Sequence, residues 1–473
     1  MTGTASSLSV LLATAEAAPI ARVGGLAEAA AGLIRALRAR PDIDLTVVMP
    51  DYGDVELDSG SARALEVADW VGTTTVRSGI VPELGEVHLV AVPDLARPHP
   101  YVDETGDGWP DNDRRFFRFS AAVAALAAEI DPDVVHLNDW HTGLAAAWIE
   151  QPLAYTIHTL GYQGIGDGSW LEVVPSVVRD RFEWFTSINP AAGAINSADA
   201  VIAVSPNYAD EILDPARGAG LHDVLAARRR VLVGIRNGID SELWDPTTDS
   251  GIVANYSAID LSGKERCSLA LLKRVGWEPS GFPTIGMVSR LVEQKGIDIA
   301  LSVVPFLERM QARLVLLGSG DRRLTVWGRE LAEAHPEHFA FVDGYDVGFA
   351  HEIFAGADLF LMPSRFEPCG LAQMQAMAYG TIPIVSAVGG LVDTVFDDDD
   401  RLARAPGNGF VAHSIDAVGV VDAVHRAIRA WTSKRRRTTL QKRGMKTDWS
   451  WERPAAEHVE VYRHLIATSR SGS

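Results

Sequence analysis

Pro283–Gly296 reads PTIGMVSRLVEQKG. A short apolar run, Pro283–Val288, gives way at once to a polar segment carrying Arg290 and Lys295. Such a run, bounded by turn residues, predicts a strand buried on both faces, as in a parallel sheet covered by helices. Ligands of open parallel sheets bind beyond the C-terminal ends of the strands. The two cations emerge at that end, where a diphosphate could sit.

The pattern repeats in both directions along the chain. Towards the C-terminus the predicted strands are 312–317, 339–342, 359–362 and 382–385. Towards the N-terminus they are LSVLLAT (8–14), 45–49, 87–92, 134–137, 154–158 and 200–204. Each is followed by a stretch with helical periodicity, so the expected class is α/β with two doubly wound, Rossmann-like domains. The stretch Asp245–Gly263 is loop-rich. It puts the predicted boundary near Ile239, giving domains 1–238 and 239–452, with the helix at about 453–473 rejoining the first.

The chain has 473 residues and a net charge of −19. An acidic whole repels nucleic acid and anionic membrane, so any phosphorylated ligand needs a local cationic cluster. The basic tract Lys434–Arg443 reads as an exposed helix face. Cys267 and Cys369 are too few for a disulfide framework and suit a reducing cytoplasm. The segment LSVLLATAEAAPIA lacks a positive start and contains Glu16, so it is read as a first strand, not a leader. No apolar run reaches the roughly 20 residues of a membrane span.

Further motifs stand at strand ends. Arg22, Gly24 and Gly25 lie in ARVGGL before a helix; the glycines either admit an anion to backbone N–H groups or simply make a tight turn. HLNDWHTG places Asp139, Trp140 and His141 after a strand, where an aromatic among polar residues suits a sugar. Asp139 could instead cap the next helix, and the His and Asp residues fall short of a zinc ligand set. His158, Thr159, Tyr162 and Gln163 follow the next strand in IHTLGYQG. LGSGD carries Gly318, short of the full dinucleotide fingerprint. In PSRFEPCGLAQMQ, Glu367 precedes Gly370 and Leu371 at a helix start, where it supplies an acid or a cap, and Gln375 follows. SAVGGL repeats the strand–Gly-Gly–helix device with Gly389 and Gly390.

Taken in order, these motifs resemble the glycogen and starch synthases over nearly the whole chain, most specifically in VSRLVEQKG and SRFEPCGL, with support from GIRNGIDSELWDP and VSPNYADEI. The resemblance implies the GT-B architecture: two facing Rossmann-like domains with an active cleft between them. It implies transfer of glucose from ADP- or UDP-glucose to the 4-position of an α-glucan, with retention and without a metal or other cofactor. Arg290 and Lys295 would hold the diphosphate, Glu367 would face the transferred sugar, and Asp139 and His158 would line the sugar site. Gly24, Gly25, Gly389 and Gly390 would approach the donor and its phosphates.

The chain departs from the family at several pocket positions. Arg22 stands where a lysine is usual, Thr159 replaces an asparagine, and Gln375 replaces a tyrosine near the ribose. Ala372 replaces a hydroxyl residue, no cation precedes the second Gly-Gly pair, and NPAAGAI replaces a KGGL-like segment. The expected function is therefore a starch-synthase-like retaining transferase with a maltooligosaccharide-like acceptor. One alternative is a pseudo-glycosyltransferase of the acarbose type, coupling a nucleotide-activated cyclitol to an amino sugar through a C–N bond. A non-catalytic glucan- or nucleotide-binding protein is the other.

Overall fold

A computed structural model describes residues 7–469 except 54, 401, 403 and 404. The expected domain ends 1–6 and 470–473 lie outside the described residues. The chain divides into one unit of residues 1–238 with 451–473 and a second of residues 239–450.

The first unit is built on a nine-stranded sheet. Its parallel part runs Leu232–Gly234, Ala200–Ala203, Leu153–Ile157, Val134–Asn138, Leu8–Ala13, Ile43–Pro50 and Gly85–Ala91. Thr75–Val81 and Asp58–Ala64 then add an antiparallel edge. The predicted sequence strands of this half all form. The antiparallel edge was not predicted: Asp58–Ala64 is exposed along its length, so it carries no apolar alternation to read. A small three-stranded sheet, Gly166–Asp167, Ser187–Ile188 and Glu183–Trp184, is also too short to show a period.

The helix Glu452–Ser469 packs on this sheet from the far end of the chain. Ala455, Val459, Tyr462 and Leu465 share a core with Val10, Leu12, Leu33 and Ile34. Tyr462 also hydrogen-bonds through its hydroxyl to His136 Nδ1 at 2.8 Å, and His136 Nε2 meets Thr156 Oγ1 at 2.6 Å. Both nitrogens of His136 are thus used in the core, which removes it from any ligand set.

The second unit has six parallel strands in the order Phe339–Asp343, Arg313–Gly318, Thr284–Val288, Leu359–Met362, Ile382–Ser386 and Phe410–Ala412. Its core runs from Ile285 and Leu316 to Val420, Val424 and Leu440. The basic tract forms the helix Lys434–Lys446; Arg436 pairs with Asp398 and Asp399, and Arg443 with Asp398.

Candidate functional site

In the second unit the cationic loop and the acidic loop are stitched together. The Arg365 guanidinium grips both oxygens of Asp298 at 2.6 and 2.7 Å, a bidentate geometry that fixes orientation as well as distance. The Arg365 N–H donates to the Gln294 carbonyl at 2.9 Å, and the Gln294 amide donates to the Phe366 carbonyl at 3.1 Å. Between these ties Lys295 Nζ donates to Glu367 Oε2 at 2.6 Å, and Ser364 Oγ donates to the same oxygen at 3.1 Å. Glu367 is therefore a buried, ion-paired carboxylate and not a helix cap. Arg290 is exposed one residue beyond Ser289. Gly370 has φ +75° and, with Leu371, opens the helix Ala372–Ala378, on which Gln375 is half-buried.

The second Gly-Gly pair works differently from the expectation. The Gly390 N–H donates to the carbonyls of Glu367 and Pro368, both at 3.1 Å. A Cβ on Gly389, at φ +44°, would collide with the Glu367 carbonyl oxygen, and one on Gly390 with that of Cys369. The pair thus lets two protein backbones touch, and Gly390 has no N–H to offer a phosphate. Gly318 is corrected in the same way. A Cβ there would strike the Ser289 carbonyl, so this glycine seats the Arg290 loop on the neighbouring strand, not a donor. The backbone bond from Leu291 N–H to the Ser319 carbonyl, 2.8 Å, holds that seat.

The first unit builds its half from a strained strand end. Asp139 has φ +54° and ψ 179°, an uncommon geometry for a non-glycine residue. Its side chain does not cap the following helix. Oδ1 accepts the N–H of His158 at 2.8 Å and that of Thr159 at 3.4 Å, tying two strand ends together. Burial pushes the Asp139 carboxyl up to about 7, with Glu16 adding to the rise and the two N–H groups opposing it. Burial, with His458 nearby, pushes His158 down to about 3. His141 falls to about 3 through burial and the Arg115 charge. His141 stacks on Tyr101 at 4.8 Å, and its Nδ1 is buried without a hydrogen-bond partner.

The first glycine loop holds an occupant of its own. Glu16 Oε2 accepts the N–H groups of Val23 at 2.9 Å and Gly24 at 3.1 Å, while Oε1 accepts the Tyr101 hydroxyl at 2.8 Å. A protein carboxylate thus sits where the sequence allowed an incoming anion. A Cβ on Gly24 or Gly25 would meet nothing within 4 Å, so packing does not demand glycine at either position. Arg22 is exposed, 3.6 Å from Glu28.

Three predicted sugar-pocket residues have other partners or none. The Trp140 ring lies tilted against His141 with centroids 4.2 Å apart, packs edge-on against Phe116, and lies against Gly164, so it is a wall and not an open platform. Gln163 bridges the Ala219 carbonyl and the Asn189 amide, both at 2.7 Å. Tyr162 is 65% exposed. The sequence reading missed Glu16, Tyr101, Asn138, Ser364 and the Asp298–Arg365 pair. Asn138, Ser364 and Arg365 had a local signal, lying inside HLNDWHTG and PSRFEP.

Two family models match the chain: the starch synthase catalytic domain over residues 9–227, and glycosyl transferases group 1 over residues 272–445. The glycogen synthase of Halorhodospira halophila is 41% identical, covering 97% of this chain and 99% of that protein. The glycogen synthase of Thioalkalivibrio sulfidiphilus is 39% identical over 97% of this chain and all of that protein. Among solved structures, the catalytic domain of starch synthase IV from Arabidopsis thaliana, bound to ADP and acarbose, superposes with TM-score 0.87 at 31% identity. It covers 98% of this chain and 100% of that one.

Proposed function

We propose how this chain, which belongs to the glycogen synthase family, moves a glycosyl group from a nucleotide sugar to a glucan. That activity, and the GT-B fold, follow from relatives that share nearly its full length. These relatives lend no support to C–N coupling or to a non-catalytic role. The finer reading is transfer of glucose from ADP-glucose to the 4-hydroxyl of an α-glucan end, with retention. The ADP held by the 31% identical starch synthase favours the adenine nucleotide.

The observation that carries this reading is the Lys295–Glu367 pair, held between two stitched loops, with Arg290 exposed on the same loop as Lys295. In the reaction the bond from the anomeric carbon to the diphosphate breaks and a bond to the acceptor oxygen forms. The acceptor's proton leaves with the diphosphate. Negative charge grows on the leaving group while positive charge grows on the sugar ring. Lys295 and Arg290 face the first, and Glu367 the second. Fixed charges of this kind stabilise a transition state because they need no reorganisation, each donor being worth about 3 kcal/mol. These cations take the part a metal would otherwise play. Asp139, His158 and Thr159 contact the sugar, and Gly25 and Arg22 lie nearest the donor in the first loop. Gln375 stands at the ribose. Cys267 and Cys369, both buried and joined in no disulfide, suit the cytoplasm.

The test is incubation of the protein with ADP-, UDP- or GDP-glucose and maltooligosaccharides, following nucleotide release and chain extension. α-1,4-linked extension with ADP-glucose preferred is the expected result. Failure with all three donors would remove the reading.

A further inference from the structure

The side chain of Asn138 is anchored so that it can be oriented in only one way. Its Nδ2 lies 3.1 Å from the backbone carbonyl of Ala13, the last residue of the central strand. A carbonyl oxygen can only accept, so the amide NH2 must point at it. The amide oxygen is then left facing His158, with Oδ1 2.9 Å from Nε2. An amide oxygen also only accepts, so Nε2 must carry a hydrogen. A neutral imidazole has one ring hydrogen, and the lone pair therefore sits on Nδ1.

We propose that Asn138 is a positioning residue that locks His158 in the Nε2–H tautomer, presenting Nδ1 as an acceptor for a hydroxyl of the donor sugar. The proposal rests on the function above for its ligand, but its geometry does not. Among the described residues no hydrogen-bonding partner meets Nδ1. The carboxylate of Asp139 engages the backbone N–H of His158 and leaves the ring alone. Of the other titratable groups around the ring, His136 is committed to Tyr462 and Thr156, and His458 to the Pro454 carbonyl. His158 stays neutral, since burial and His458 both disfavour its charged form.

The arrangement predicts selectivity. A pure acceptor in a partly dehydrated site takes a sugar hydroxyl as donor and gives nothing to a group that cannot donate. It also explains why an amide, and not a carboxylate, occupies position 138. Aspartate would turn a lone pair towards the Ala13 carbonyl and would stabilise a second proton on His158, converting Nδ1 from acceptor to donor.

The direct measurement is long-range proton–nitrogen NMR on protein labelled with 15N-histidine. His158 is assigned by the signal lost in His158→Gln. We expect a protonated Nε2 and a bare, pyridine-like Nδ1 from about pH 8 down to about pH 6, close to where a free histidine titrates. A proton on Nδ1, or a charged ring, would overturn the proposal. The kinetic measurement compares Asn138→Asp with the wild type using ADP-glucose. Asp139 titrates in the same window and feels the new carboxylate, so the same pair is also measured in a His158→Gln background, where an excess fall owed to His158 vanishes. Protonation destroys the acceptor, so kcat/KM of the variant should fall by roughly tenfold more than the wild type's between those two pH values. Parallel profiles would count against Asn138. If Asn138→Asp does not fold, the wild-type spectrum alone decides. A protein with the Nε2–H tautomer but no turnover would defeat the proposed function and leave the tautomer standing. Turnover with an Nδ1–H ring would do the reverse.

Discussion

Two glycine pairs of this chain read alike in sequence and differ in physics. Gly24-Gly25 and Gly389-Gly390 each follow a strand, precede a helix and are followed by leucine. Around the first pair there is empty space; around the second there is protein backbone. The second pair is a requirement of the fold, because the Glu367 loop lies against it. The first is not required by packing, which fits the proposed approach of the donor there. The same contrast holds for the half-sites they serve. The one in the second unit is charged and cross-tied, whereas that in the first is strained and buried, with its histidines held neutral.

The sharpest test of this contrast is Lys295→Ala. It removes the proposed leaving-group cation and also strands a buried carboxylate that, among the described residues, keeps only Ser364 as a side-chain donor. Loss of one such contact costs about 10²–10³ in kcat, and kcat/KM should fall by at least that range. Pairing it with Glu367→Ala in a double-mutant cycle should show strong non-additivity, as expected for groups acting as one unit. Independent, additive effects would break the coupled view of this half-site.

The next largest effect is expected from Gly389→Ala. The new Cβ meets the Glu367 carbonyl, and the backbone sits at φ +44°, where an L side chain is strained. Turnover should drop about tenfold or more, together with the melting temperature, since Glu367 moves with its loop. A stable and fully active variant would show that the second pair is no tighter than the first.

The sequence showed the parallel strands of both sheets except the three-residue edges Leu232–Gly234 and Phe410–Ala412, because short doubly buried runs leave a clear apolar signature and three residues do not. It also singled out Arg290, Lys295, Glu367, Asp139 and His158, each at a strand end. It could not show that Glu16 fills the first loop, because its third donor, Tyr101, is 85 residues away. The tie from Arg365 to Asp298 spans 67 residues and likewise has no local period. The two glycine pairs were indistinguishable because glycine records only the lack of a side chain; what comes close to it depends on tertiary structure.

A third prediction concerns the cost of the first half-site. Asp139 titrates at about 7 when folded, against about 3.9 for a free aspartate. A raised carboxyl pKa means the folded state disfavours the charge. Stability is therefore unaffected below about pH 4, erodes as pH rises towards 7, and stays reduced above it. Asp139→Asn keeps Oδ1 for the two N–H groups and removes the charge. It should melt several degrees higher than the wild type near pH 8 and equally near pH 4, while losing turnover. Equal melting temperatures at both pH values would contradict the burial argument.

The smallest effect separates the two glycine pairs most cleanly. Gly25 is the first residue of the helix Gly25–Arg38, and alanine suits a helix better than glycine by about 0.5–1 kcal/mol. With nothing within 4 Å of the new methyl, Gly25→Ala should fold normally and melt at or slightly above the wild-type temperature. Its only loss should be in donor handling, seen as a several-fold rise in KM for ADP-glucose with KM for the acceptor unchanged. An unchanged donor KM would mean that the empty space beside this loop is not where the nucleotide sugar lies. The Glu16 carboxylate would then be the loop's permanent occupant, and the first pair would be as structural as the second.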